Sequence, residues 1–191
     1  MFFVNSIQSA KSELRREMKR LTAKLSMDQR ATQSAAIYEQ LLRLPELKDS
    51  SLILAFASLR DEPDLDALWQ SSLTLALPRV NGHELQIWRV SSLADLNQGA
   101  FGIREPNPEK CTRLDPAEID AVLVPGVAFD RQTRRRLGRG GGFYDRFLAS
   151  AKGTRIGICF PHQLVDDVPV EEHDCGVDLV ISGTDHAEQS E

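Results

Sequence analysis

Residues 51–57, S-L-I-L-A-F-A, are apolar at consecutive positions, too continuously for a strand with one wet face. That pattern predicts a strand buried on both sides, the environment of a parallel sheet covered by helices. Residues 120–124 repeat it, and 155–160 (R-I-G-I-C-F), 177–181 (V-D-L-V-I) and 74–77 are read as further strands. Helical stretches alternate with these runs, so the expected fold class is α/β: a single three-layer α/β/α domain with a mostly parallel sheet. The domain is expected to span 1–184, with a polar, frayed tail at 185–191.

A first helix is predicted over residues 9–25, where Leu14, Met18, Leu21 and Leu25 recur at helical spacing. Lys11 and Arg15 lie four apart near the edge of that stripe, while Arg16 and Arg20 point away from it. Two readings stay open for Lys11 and Arg15: a solvated basic face, or two cations reaching into a neighbouring anion site. Ser26-Met27-Asp28-Gln29 has the form of a capping box, so a second helix should start at Ser26 and stop before Pro45. Asn81-Gly82 marks a hairpin turn, with His83 beside it exposed.

Ser58, Arg60, Asp61, Glu62 and Pro63 follow the first buried strand. Ligands of open α/β sheets bind beyond the carboxyl ends of strands, which makes Glu62 a candidate for orienting a substrate. Asp61 or Asp64 would cap a short helix at 65–70.

The chemistry concentrates in residues 125–148, P-G-V-A-F-D-R-Q-T-R-R-R-L-G-R-G-G-G-F-Y-D-R-F-L. Glycines let backbone N–H groups converge on a ligand, and a helix is expected from Phe143 onwards. No Lys-Ser or Lys-Thr pair follows the glycines, so this is not a Walker A loop. The third glycine of a dinucleotide-binding loop would fall at Phe143. Five arginines crowd the approach, and their self-repulsion calls for an anion or for water. Arg136 and Arg139, beside the glycines, are the expected ligand binders; Arg131, Arg134 and Arg135 are expected in solvent. Asp145 is placed to hold a cation against bound phosphates.

The net charge of −5 argues against a general nucleic-acid coat but leaves room for a compact basic pocket. Cys111, Cys159 and Cys175 are too dispersed for a disulfide framework or a metal knuckle, and Cys175 reads as structural. The apolar start, Met1 to Val4, breaks at Asn5 without a basic flank, and no run reaches transmembrane length. A cytoplasmic protein with no membrane partner is expected.

The run R-L-G-R-G-G-G-F-Y-D after P-G-V-A-F-D resembles the signature of the 5-formyltetrahydrofolate cyclo-ligase family, also called methenyltetrahydrofolate synthetases. The likeness takes in K-S-E-L-R with Lys19, S-L-R-D-E-P, F-G-I-R-E-P and V-P-V-E-E-H-D, in the family's order. It implies a fold similar to the NagB/RpiA/CoA-transferase group and an enzyme that uses ATP and Mg²⁺ on 5-formyltetrahydrofolate; a monomer is expected, although the sequence does not give the oligomeric state. By this resemblance Lys11 and Arg139 are catalytic. ATP would be held by Lys11, Arg15, Arg136, Leu137, Gly138, Arg139, Gly140, Gly141, Gly142, Phe143 and Tyr144. The folate would meet Arg15, Ala57, Glu62, Phe101, Arg139, Gly140, Gly141, Gly142 and Phe143, and Asp145 and Asp174 would be the Mg²⁺ carboxylates. Some relatives carry Lys where this chain has Gly141, and many carry Tyr at Phe143. A non-catalytic folate- or nucleotide-binding regulator is the alternative, and an RNA-binding module a weaker one.

Overall fold

The computed structural model describes residues 2–99 and 102–183. Helix α1 (Phe2–Thr22) leads into α2 (Met27–Arg43) and a short α3 (Pro45–Lys48). The predicted capping box is present: the Ser26 hydroxyl accepts from the Gln29 N–H at 3.1 Å and the Gln29 side chain accepts from the Ser26 N–H at 2.9 Å. α1 begins at Phe2 rather than residue 9 and ends at Thr22 rather than 25. Its end has a local cause. Arg30 donates to the Thr22 and Leu25 carbonyls, satisfying acceptors that a longer helix would have used.

The chain then alternates through strands β1 (Ile53–Leu54), β2 (Leu75–Asn81), β3 (Glu84–Arg89), β4 (Leu96–Gln98), β5 (Arg104–Pro106), β6 (Thr112–Leu114) and β7 (Ala121–Pro125). After β8 (Ala128–Asp130) and β9 (Arg136–Leu137) come α4 (Phe143–Leu148), β10 (Thr154–Cys159), β11 (Leu164–Val165) and β12 (Leu179–Ser182). Seven strands form one sheet in the order β12-β10-β7-β1-β2-β3-β6. Pairing is parallel from β12 to β2 and antiparallel at β2–β3 and β3–β6. The expected α/β class with a mostly parallel sheet is what the chain adopts. The hairpin forms where predicted, but Asn81 pairs with Glu84, so Gly82 and His83 make the turn.

Successive strand residues face opposite sides, which explains the unbroken apolar runs. Ile53, Leu75, Leu123, Ile156 and Ile158 pack with Ile37 and Leu41 of α2 and Leu47 of α3. Leu54, Ala76, Val122, Val124 and Cys159 pack on the other face with Phe129, and with Phe147 and Leu148 of α4. Phe129 is fully buried because Gly157 leaves it room: a Cβ there would lie 2.5 Å from its ring. Burying such a side chain contributes about 1.5–3 kcal/mol.

Two features were not anticipated. The stretch 125–148 contains a hairpin, β8–β9, ahead of the glycines, and with β11 it forms a separate three-stranded sheet. The stripe of α1 packs there, Leu14, Met18 and Leu21 against Ala128, Leu137 and Val168. The helix from Phe143, for which the amphipathic pattern runs to Ala151, ends at Leu148. Arg131, Arg134 and Arg135 lie exposed on the hairpin turn, as expected. Asp130 holds that turn: its buried carboxylate accepts from the Gln132 and Thr133 N–H groups at 2.9 and 2.7 Å.

Burial opposes the charge of Asp130, but those hydrogen bonds outweigh it and hold its pKa below the usual carboxylate range. Its stabilising contribution is therefore present above the unfolded-state value and is lost as pH falls through the lower folded one. Asp130→Asn should flatten the loss of stability below about pH 4, read from urea midpoints down the acid limb. No helix among the described residues is long and apolar enough to cross a membrane.

Candidate active site

Beyond the carboxyl ends of β1, β2 and β7 the chain encloses a cleft of ≈ 380 Å³. One wall is Ala57 and Glu62 from the loop after β1. A second is Pro78, Val80 and Leu85 from the β2–β3 hairpin. The third is Gly138, Gly140, Gly141, Gly142 and Phe143, with Tyr144 and Asp145 at its base. Gly142 adopts φ 66, a left-handed conformation that turns the loop into α4 and that glycine reaches without steric cost.

The cations around the loop are divided among carboxylates. Arg139 donates from Nε to Glu62 at 3.0 Å and forks onto Asp61 at 2.8 and 3.1 Å. Asp61 therefore pairs with Arg139, while Asp64 accepts from the Asp66 N–H at the start of the short helix. Glu62 is buried and its other oxygen accepts from the Leu59 N–H at 2.9 Å. Burial pushes the Glu62 carboxyl above its ordinary pKa despite Arg139, whereas at Asp61 burial is outweighed by Arg139 and the pKa falls.

At the other end of the loop, Lys11 is 3 % exposed and donates to Glu171 at 2.8 Å and Asp174 at 2.5 Å. Burial alone would lower the Lys11 pKa; the two carboxylates reverse that and raise it. The solvated-face reading of Lys11 is thereby excluded. Arg15, one turn on, donates from Nε to the Gly138 carbonyl at 2.8 Å and has no carboxylate partner among the described residues.

Arg136 is also buried, and its guanidinium is held by Asp145 at 2.5 Å and by the Pro125 carbonyl at 3.2 Å. The Cys175 N–H donates to the same Asp145 oxygen at 3.2 Å, so the segment that carries Asp174 meets Asp145 from far along the chain. On each of these aspartates one oxygen accepts protein donors. The other oxygen accepts no hydrogen bond among the described residues.

The chain that carries this loop and cleft matches a known group of proteins. A sequence model described as the 5-formyltetrahydrofolate cyclo-ligase family matches residues 7–183. The chain belongs to that family. A 5-formyltetrahydrofolate cyclo-ligase of Saccharomyces cerevisiae is 30% identical, the match covering 92% of this chain and 96% of the relative. The Aquifex aeolicus 5,10-methenyltetrahydrofolate synthetase structure superposes with a TM-score of 0.81 at 34% identity, over 95% of this chain and 99% of that one. A Mycoplasma pneumoniae 5,10-methenyltetrahydrofolate synthetase shares the fold with a TM-score of 0.71 at 22% identity, over 90% and 98%.

Within this cyclo-ligase-family chain, the residues singled out from sequence fall into three groups. Ala57, Glu62, Arg136, Gly138, Arg139, Gly140, Gly141, Gly142, Phe143, Tyr144 and Asp145 line the cleft. Lys11, Arg15 and Asp174 stand around the loop's other side, tied to it or to its neighbours by the hydrogen bonds above. Leu137 differs: its side chain fills the small core under α1, so it can offer a ligand only its backbone. Arg136 was expected to bind ligand, yet its guanidinium is spent on Asp145 and on backbone carbonyls. Phe101 lies outside the described residues, as does the tail at 185–191.

Several residues of the site were not singled out. Asp61 is offered by the sequence as a helix cap, and Glu171 and the hairpin residues Pro78, Val80 and Leu85 are given no role at the site. The Asp61-Glu62 pair beside Arg60 was the one local signal. Nothing in the hairpin sequence marks it as a wall. The Tyr144 hydroxyl is buried without a partner among the described residues, and burial raises its pKa.

Proposed function

We propose that this protein catalyses the ATP- and Mg²⁺-dependent cyclisation of 5-formyltetrahydrofolate to 5,10-methenyltetrahydrofolate, with release of ADP and phosphate. The observation that carries the reading is the position of Arg139. On one side it lines the apolar cleft; on the other it lines a recess in which Arg15 and Lys19 add two further cations beside Gln163 and the Asp61 carboxylate that Arg139 pairs with. One guanidinium thus stands between a surface suited to a flat, largely apolar ligand and a cationic surface suited to a phosphate chain.

The reaction needs that juxtaposition. A formamide oxygen is a poor leaving group, so N10 cannot close on the formyl carbon and expel it. Transfer of the γ-phosphoryl group to that oxygen converts it to a phosphate leaving group; N10 attacks the carbon and gives up its proton to the departing phosphate or to water, and phosphate leaves with the C–O bond electrons. Phosphoryl transfer asks a protein mainly for positioning and charge neutralisation. Lys11, Arg15 and Arg139 supply the charge, and the backbone amides of residues 138–142 supply donors. Glu62 orients the folate from the buried end of the cleft. Asp145 and Asp174 would hold Mg²⁺, for which each presents a carboxylate oxygen that accepts no hydrogen bond among the described residues, the Asp174 one facing His173 Nε2 at 3.9 Å; the ion, when bound, neutralises phosphate charge. No nucleophilic side chain is needed. The same reading has the protein act as a cytoplasmic monomer, without nucleic acid or membrane.

Purified protein given ATP, Mg²⁺ and 5-formyltetrahydrofolate should form the methenyl product, followed by its near-ultraviolet absorbance. Absence of turnover with folded protein would overturn the proposal. Tight binding of the folate without turnover would instead support a non-catalytic binding protein.

A further inference from the structure

Two walls of the cleft come from segments far apart in sequence, the β2–β3 hairpin and the glycine loop, and one side chain joins them. Arg146, an exposed residue of α4, donates from Nε and Nη2 to the His83 carbonyl at the hairpin tip, at 2.9 and 2.7 Å. From Nη2 it also donates to the Gly141 carbonyl at 3.2 Å. Its guanidinium carbon lies 5.2 Å from the centre of the Phe143 ring. Among the described residues no other hydrogen bond ties residues 82–84 to residues 138–143.

Gly142 belongs to the same arrangement. Besides its left-handed φ, a Cβ at this position would fall 2.6 Å from Nη1 of Arg146, so any side chain there would displace the guanidinium. An exposed arginine with no carboxylate partner would ordinarily extend into water, since ordering it costs side-chain entropy. Here its planar fork is spent on two backbone carbonyls of different segments while its face covers an aromatic ring. That geometry suits a guanidinium and cannot be reproduced by the point charge of a lysine.

We propose that Arg146 is a positioning residue for the folate: it clasps the hairpin to the glycine loop and holds Phe143 against the cleft, thereby setting the spacing of the walls between which the folate lies. This rests on the assignment of the cleft to the folate. The Gly138 end of the loop is tied separately, through Arg15 on its carbonyl, so losing the clasp falls more heavily on the folate than on ATP.

The test uses the full-length enzyme. Arg146→Ala should raise the KM for 5-formyltetrahydrofolate, and its Kd measured without ATP, by roughly 10-fold, given the sensitivity of bound geometry to displacements of about 1 Å. The KM for ATP, kcat and the thermal midpoint should stay near the parent's. Arg146→Lys should recover only part of the folate affinity. Combining Arg146→Ala with Phe143→Ala should cost less than the product of the single effects, because one acts through the other.

Val80→Asp probes the cleft assignment itself. Val80 is 45 % exposed on the hairpin wall, so a carboxylate there disfavours an apolar ligand without disturbing the core. If Val80→Asp leaves folate binding unchanged, the cleft is not the folate's and the proposal falls with that assignment. If Val80→Asp weakens folate binding while folded Arg146→Ala or Arg146→Lys does not, the clasp alone is refuted. Equal losses for both substrates, or a fall in thermal midpoint that accounts for lost activity, would make Arg146 a structural residue and also refute it.

Discussion

Arg136→Met is expected to cost the protein about 3–5 kcal/mol of stability, the scale on which buried ion pairs fail when one partner is removed. The side chain is 4 % exposed and lies against the Asp145 carboxylate and the Pro125 carbonyl. Methionine fills much of the same volume, so the loss comes chiefly from polar groups left behind. The Asp145 oxygen would be left with only the Cys175 N–H opposite it, and the Pro125 carbonyl would lose its Arg136 hydrogen bond. For a chain of this size such a loss lowers the thermal midpoint by roughly 6–20 °C. Calorimetry or denaturant unfolding reads it directly. An unfolding midpoint equal to the parent's would mean that Arg136 does not anchor Asp145, and that its charge is free for a ligand.

Lys11→Met should reduce turnover by roughly 10²–10³-fold, the usual consequence of removing one preorganised charge from a site where negative charge develops. It should also change how stability depends on pH. In the parent, Lys11 hydrogen bonds hold the Glu171 pKa down; at Asp174 the same contacts outweigh burial and lower it too. Their contribution is present above the unfolded-state values and is lost as pH falls through the lower folded ones. The raised Lys11 pKa adds stability that is full below its unfolded value and lost only as pH rises through the folded one. Without Lys11, two neighbouring carboxylates repel, so protonation relieves the variant where it harms the parent. The stability gap should therefore be widest near neutrality and close below about pH 4. Normal turnover in folded Lys11→Met protein would remove Lys11 from the phosphate site.

What could be read from the chain without its structure follows the range of the forces involved. The Ser26–Gln29 box and the stop before Pro45 involve neighbours within one helical turn, and both could be read residue by residue. The buried strands were legible because burial on both faces leaves no polar alternation. The glycine loop was legible because close backbone approach excludes other residues, and the likeness to a family supplied roles for its neighbours. The β8–β9 hairpin was missed because its strands are short and its turn is rich in arginine, which hides the pattern. The first helix was legible as a helix, but neither its bounds nor its destination was, since an apolar stripe does not name the surface it covers.

By itself the sequence determined the layer architecture, the position of the loop and the set of charged residues available to a site. Only the tertiary structure decided which of those charges work together. Arg136 and Arg139 are near neighbours in the chain, yet one is buried on Asp145 and the other stands at the cleft with Asp61 and Glu62. Lys11 meets Asp174 across 163 positions, and Arg146 meets His83 across 63. The reason is physical. Helix caps and apolar periodicity are settled by neighbouring residues, whereas the partner of a charge depends on which groups the folded chain brings within about 3 Å and which it strips of water.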